Sequence, residues 1–237
     1  MRPQKINKLM SPRLRKIYIF IISIIVLLGP AVFYLLLETG KNNFIMLDYF
    51  GPKKVQTENG KTDTIYHTVG NFSFSDQQQN IITQNFASGK IYATQFLTTR
   101  DSACSKMLRG MQDAVYEYKD DTTLVFITYF IDPVTDNKST IDSLVNFYRV
   151  KAFKWKFLSG NTNSIDNMAR SSYNVPVVYN AKDSMWQVSQ QVFLVDKEKH
   201  LRGIYDGTDL FEIKRLKEEI KVLQYEYRTK NKKTNGE

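Results

Sequence analysis

The chain has 237 residues, one cysteine, two histidines and a formal charge of +9. A single cysteine excludes an intramolecular disulfide and any zinc site built on several thiolates. An aromatic content of 13% with few Gly and Pro excludes disorder over most of the length and leaves room for one ordinary domain plus an attachment segment.

The positive charge is confined to the ends. Arg2, Lys5, Lys8, Arg13, Arg15 and Lys16 precede the first acidic residue, and Arg228, Lys230, Lys232 and Lys233 face only Glu237 at the other end. The residues between are balanced. A folded part without basic excess does not suit a phosphate backbone, so nucleic acid is not an expected partner.

Ile17–Leu37 carries no charged residue, over about the ~20 residues a helix needs to cross the hydrocarbon core. Gly29-Pro30 in its middle should bend the helix, which membrane spans tolerate. A cleaved signal peptide fits less well: its apolar region runs only ~7–15 residues, and Leu37-Glu38-Thr39 is not a small-residue cleavage site. The expectation is a retained single-pass anchor at 17–37. The positive-inside rule then makes 1–16 a cytoplasmic basic tail and exports everything from about Glu38 onward.

Residues 38–63 read as a linker partly held by its aromatics, 64–227 as the domain and 228–237 as a basic, solvated tail. Within the domain, Phe72–Phe74 is extended and Gln77–Asn80 a turn. Lys90–Leu97 is a strand rich in aromatic and β-branched residues. Ser105–Lys119 has Met107, Met111, Val115 and Tyr118 at helical spacing. Thr122–Ile131 is a near-continuous apolar run of the kind buried on both faces of a sheet, ended by Asp132-Pro133. Ser139–Val150 is a helix, Trp155–Leu158 a strand and Ser164–Tyr173 a helix. Ser189–Asp196 and His200–Tyr205 form a strand pair. A last helix runs from Asp209, a plausible N-cap, to about Tyr227. This order gives an α/β class, a thioredoxin-like fold preceded by a transmembrane helix.

The candidate site is Gln95–Met107, where a strand opens into a loop carrying Cys104 at the start of a helix. A helix N-terminus stabilises a thiolate and makes a cysteine reactive. Four residues earlier, where a CxxxC pair would have its first thiol, stands Arg100.

Several segments along the chain resemble the Sco/SenC family of membrane-anchored, thioredoxin-fold factors for the copper centre of cytochrome c oxidase. They are Tyr49-Phe50-Gly51-Pro52, Phe72-Ser73-Phe74, Gly89–Leu97, Cys104-Ser105-Lys106-Met107, Asp132-Pro133-Val134-Thr135-Asp136, Trp155–Gly160, Phe193–Asp196 and Arg202–Thr208. The resemblance implies a copper site of two CxxxC cysteines and a histidine shortly before the Phe193–Asp196 strand. Here the first cysteine position is Arg100 and the histidine position falls at about Val188, so only Cys104 is kept. Arg100 cannot ligate a metal and opposes a bound cation. No catalytic, cofactor or metal residue is therefore assigned, although Cys104 is a candidate thiol and copper is the family's metal.

The remaining candidates have plain structural readings. His67, in an extended run, and His200, at a hairpin turn, are expected at an edge or in solvent rather than as ligands. Met107 and Met111 are expected in the core, although one turn apart they also resemble a soft Cu(I) pair. Asp101, Asp132 and Asp136 offer carboxylates, with Asp132-Pro133 read first as a strand stop and turn. Cys104 is either a low-pKa thiol, helped if Arg100 folds back over it, or a buried relic.

The reading that follows is a metal-site-defective, non-catalytic accessory of oxidase assembly. Its setting would be the outer face of a bacterial inner membrane, with an oxidase subunit or a complete Sco-type homologue as partner. The alternatives are a one-cysteine thiol oxidoreductase or peroxidase using Cys104, and an envelope interaction protein unrelated to copper.

Overall fold

The computed structural model describes residues 12–39, 46–58, 61–151 and 153–234. The basic tail up to residue 11, the linker at 40–45 and 59–60, and the last three residues lie outside them. The chain divides into two units, residues 1–44 and 45–237.

In the first unit, helix α1 (Pro12–Thr39) runs through Pro30, and its described apolar side chains are exposed, Ile17 at 55% and Leu27 at 78%. Counted over the described residues, no helix is long and apolar enough to cross a membrane.

The second unit begins in the stretch expected as linker, and its described part carries structure. Strands β1 (Lys53–Glu58) and β2 (Lys61–Tyr66) pair antiparallel with Lys53 opposite Tyr66. The sequence signal for this hairpin is Asn59-Gly60 between two polar runs, which periodicity of apolar residues does not reveal. Next come β3 (Ser73–Asp76) and β4 (Ile81–Thr83). Their turn is held by the Asp76 carboxylate, which accepts the Gln78 and Asn80 N–H groups, each at 2.9 Å.

The centre of the domain is β5 (Ile91–Leu97), α2 (Cys104–Glu117) and β6 (Leu124–Phe130). Every residue of both strands is buried, as expected for parallel strands covered on both faces. Then follow α3 (Lys138–Phe147), β7 (Trp155–Ser159) and α4 (Thr162–Tyr173). Helix α3 is capped by Asn137, whose side chain accepts the Thr140 N–H at 3.1 Å. A small hairpin of β8 (Val178–Asn180) and β9 (Met185–Gln187) forms a sheet of its own. The chain then makes β10 (Gln191–Val195), β11 (Leu201–Asp206) and α5 (Leu210–Thr234). Asp209 caps α5 as expected, accepting the Phe211 N–H at 2.8 Å. That helix runs on through much of the stretch expected as a solvated tail.

The seven-stranded sheet has the order β11-β10-β5-β6-β7-β3-β4. Strands β5, β6 and β7 are parallel, and β10, β11, β3 and β4 extend the sheet antiparallel. Two cores result. One gathers Met107, Leu108 and Met111 of α2, Ile141 of α3 and Ile213, Leu216, Ile220 and Leu223 of α5. The other is aromatic, with Phe72, Phe74, Tyr92, Phe96, Tyr129, Tyr173 and Phe193, and is covered by α4. Met107 and Met111 are thus core residues, 1% and 0% exposed. Gly110 is where α5 crosses α2 most closely: a Cβ there would lie 2.9 Å from Ile213.

Candidate site at the carboxyl end of the central strands

In sheets with parallel central strands, ligands collect beyond the strands' carboxyl ends. Two loops meet there, residues 98–103 after β5 and residues 131–137 after β6.

The first loop is a tight turn. Thr98 O accepts the Asp101 N–H at 3.1 Å, and Asp101 O accepts the Cys104 N–H at 3.0 Å. The Asp101 carboxylate takes the Ala103 N–H at 2.8 Å. The second loop is wound around Asp132, whose carboxylate accepts the Val134 N–H (3.1 Å) and the Thr135 hydroxyl (2.7 Å). Asp136 joins the two loops. Its Oδ1 accepts the Thr99 N–H at 2.8 Å and the Thr99 hydroxyl at 2.5 Å. Asp132, Asp136 and Asp101 therefore hold backbone, and they do so with the hydrogen bonds a free ligand would otherwise take.

Cys104 is 5% exposed and packs into the α2/α5 core. Burial pushes its thiol up to about 12, and the carboxylates of Asp136 and Asp101 push the same way. This reverses the low-pKa expectation. The helix N-terminus favours a thiolate by a modest amount, whereas desolvation of a buried charge is a larger effect. Nor does Arg100 fold back over the thiol. It is exposed, and its guanidinium donates to Ser184 O at 2.5 Å and Asp183 O at 3.0 Å, in the β8–β9 turn. Burial raises Asp136 as well, against the Thr99 hydrogen bonds that favour its charged form.

Val188, at the expected histidine position, is half-buried against the aromatic core, across the sheet from the core that holds Cys104. Val188 and Cys104 thus pack into different cores, while Arg100 reaches the turn just before Val188. A copper ion of the kind the family resemblance implies needs soft thiolate and imidazole donors. One of the three positions carries a donor atom, and that atom is a buried thiol held in its protonated form. These residues do not fit the metal.

The histidines lie elsewhere. His67 Nε2 is 2.9 Å from Ser172 O, against α4. His200 stands with Asp196 and Glu198 in the β10–β11 turn, their ligand atoms within 4.8 Å of one another. Its carboxylates already have partners: Arg202 Nη1 is 3.1 Å from Asp196 Oδ2, and the Tyr227 hydroxyl donates to Glu198.

Arg202 is the residue whose role the sequence does not disclose. It is 1% exposed, pairs with Asp196 and with Glu226 of α5 (2.9 Å), and donates to the carbonyls of Leu47 (2.6 Å) and Asp48 (3.2 Å). The Tyr49 ring lies 4.2 Å from its guanidinium carbon. The only hint in the sequence is a lone arginine inside the apolar stretch of β11.

Comparison with known proteins agrees with the fold. A SCO1/SenC lipoprotein from Bacillus anthracis superposes with a TM-score of 0.61 at 16% identity, over 67% of this chain and 95% of that one. ScoI from Arabidopsis thaliana, solved with copper bound, gives 0.55 at 20% identity, over 67% and 99%. BsSco, described as a member of the Sco family of cytochrome c oxidase assembly proteins with a disulfide switch, gives 0.57 at 19%, over 66% and 93%. No curated protein matches the sequence. The SCO1/SenC family model, however, matches residues 60–224, and the chain belongs to that family.

Proposed function

We propose that the chain is a membrane-anchored Sco-type protein that serves copper-centre assembly of an oxidase as an accessory, without a copper site of its own. The observation that carries this is the donor set: Arg100, buried Cys104 and Val188 stand where a copper-binding relative would need two thiolates and an imidazole. The family supports the oxidase setting, as BsSco is described as an oxidase assembly protein. An anchor is supported by the uncharged run Ile17–Leu37 and by the exposed apolar side chains of α1. The six basic residues ahead of that run support a cytoplasmic N-terminus and an exported domain. Partners of such an accessory would be an oxidase subunit or a complete CxxxC homologue.

The test is titration of the full chain in detergent with Cu(I) against a competing chelator. We expect no competition; sub-nanomolar binding would overturn the reading. The burial of Cys104 disfavours the alternative of a one-cysteine oxidoreductase, since the thiolate is the reactive form.

A further inference from the structure

We propose that Arg100 is a strap that holds the tip of the β8–β9 hairpin against the loop after β5. The hairpin is a separate two-stranded sheet, so nothing in the main sheet's ladder fixes it. Its internal structure is local: the Tyr179 and Trp186 rings are 5.0 Å apart, and Asn180 Nδ2 donates to Asp183 Oδ2 at 2.7 Å. At its base, Arg170 of α4 donates to Val177 O. At its tip, Ser184 has a left-handed backbone (φ 48°). Among the described residues, the two Arg100 hydrogen bonds are those that tie this tip to the rest of the domain.

The chemistry suits arginine. A guanidinium presents several N–H groups in a fixed fork and reaches two carbonyls at once, and it keeps its charge at any working pH. The two carbonyls belong to adjacent residues, 83 and 84 positions further along the chain, so the fork closes a large loop. The two segments are joined by side chain and backbone alone, so the hairpin's closure depends on Arg100. The strap itself rests on the hydrogen-bond geometry.

The test is amide hydrogen exchange on the full chain in detergent, comparing wild type with Arg100→Ala. Peptides covering 178–188 should exchange about five- to tenfold faster in the variant, the loss expected for one or two charge-assisted hydrogen bonds at an exposed site. Peptides in β5 and β6 should not change. Unchanged hairpin exchange in a folded Arg100→Ala overturns the strap. If alanine loosens the whole domain, Arg100→Met keeps the apolar stem without donors: hairpin-selective acceleration then supports the strap, and uniform acceleration overturns it. Tight Cu(I) binding by the wild type would sink the accessory reading and leave these exchange rates untouched, so the two failures are distinguishable.

Discussion

The two ends of the central strands are built on opposite principles. At the amino end, where β10 turns into β11, the domain keeps charge inside: Arg202, Asp196 and Glu226 are all buried, mutually paired and hydrogen-bonded to backbone. At the carboxyl end, where a family relative would concentrate its chemistry, Asp132 and Asp136 are buried too, but they are satisfied by backbone N–H groups and threonine hydroxyls and pair with no cation among the described residues, and the thiol beside them lies in apolar packing. The only strong cation there, Arg100, points out of the domain onto two carbonyls. Charge inside a protein is tolerated when every partner is present. Among the described residues, the amino end has such a set complete with its cation, whereas the buried carboxylates of the carboxyl end are held by N–H and O–H donors alone.

Mutations at the two ends should separate these roles, and Trp155 and Trp186 fluorescence during urea unfolding of the full chain in detergent reads each. The largest effect is expected for Arg202→Ala, a loss of about 3–5 kcal/mol, because Asp196 and Glu226 would be left buried without their cation. A loss under about 1 kcal/mol would make the network solvated in practice and break the contrast. Asp136→Ala should cost about 1–3 kcal/mol by stranding the Thr99 N–H and hydroxyl. It should also bring the Cys104 thiol down, since one of its negative neighbours is gone.

Cys104→Ala should cost only about 1 kcal/mol, the mark of packing rather than chemistry. The wild-type thiol should resist alkylation well above its ordinary value of 9.0, and a transition below about pH 8 would revive the reactive reading. The sign of the linked pH effect follows from the raised value. The folded state keeps its proton between 9.0 and about 12 while the unfolded state has lost it. Stability from this group is complete below pH 9 and falls as pH rises through that window, and Cys104→Ala should flatten that fall. The smallest effect is expected of Arg100→Cys with Val188→His, a modest gain in Cu(I) affinity by chelator competition. No gain would mean that positions 100 and 188 do not converge.

Much of this was legible in the residues. The two central strands and the helices after them announce themselves through continuous apolar runs and 3.6-residue spacing, because burial of those side chains is what forms them. The β1–β2 and β8–β9 hairpins did not, since Lys53–Glu58 and Val178–Gln187 bury little and turn on local backbone preferences. At the site, the resemblance alone set Arg100 and Val188 at the positions where ligands were expected. The state of Cys104 was not legible, because depth of burial is a property of how α2 lies on α5. Nor was the destination of Arg100, whose partners are carbonyls more than eighty residues away.

The hydrogen bond from the Leu47 N–H to Glu226, across 179 residues, is 2.7 Å long. Together with the Arg202 bonds to Leu47 and Asp48, it makes the opening segment of the domain depend on its final helix. The order of synthesis then matters: residues 46–50 find their first partners on β11, at Leu201 and Arg202, and their last on α5. During translation the opening segment can pair with β11 before α5 exists, and only the Leu47–Glu226 contact waits for the last helix. A chain cut short before Glu226 would keep most of its strands and still lack the closing contact.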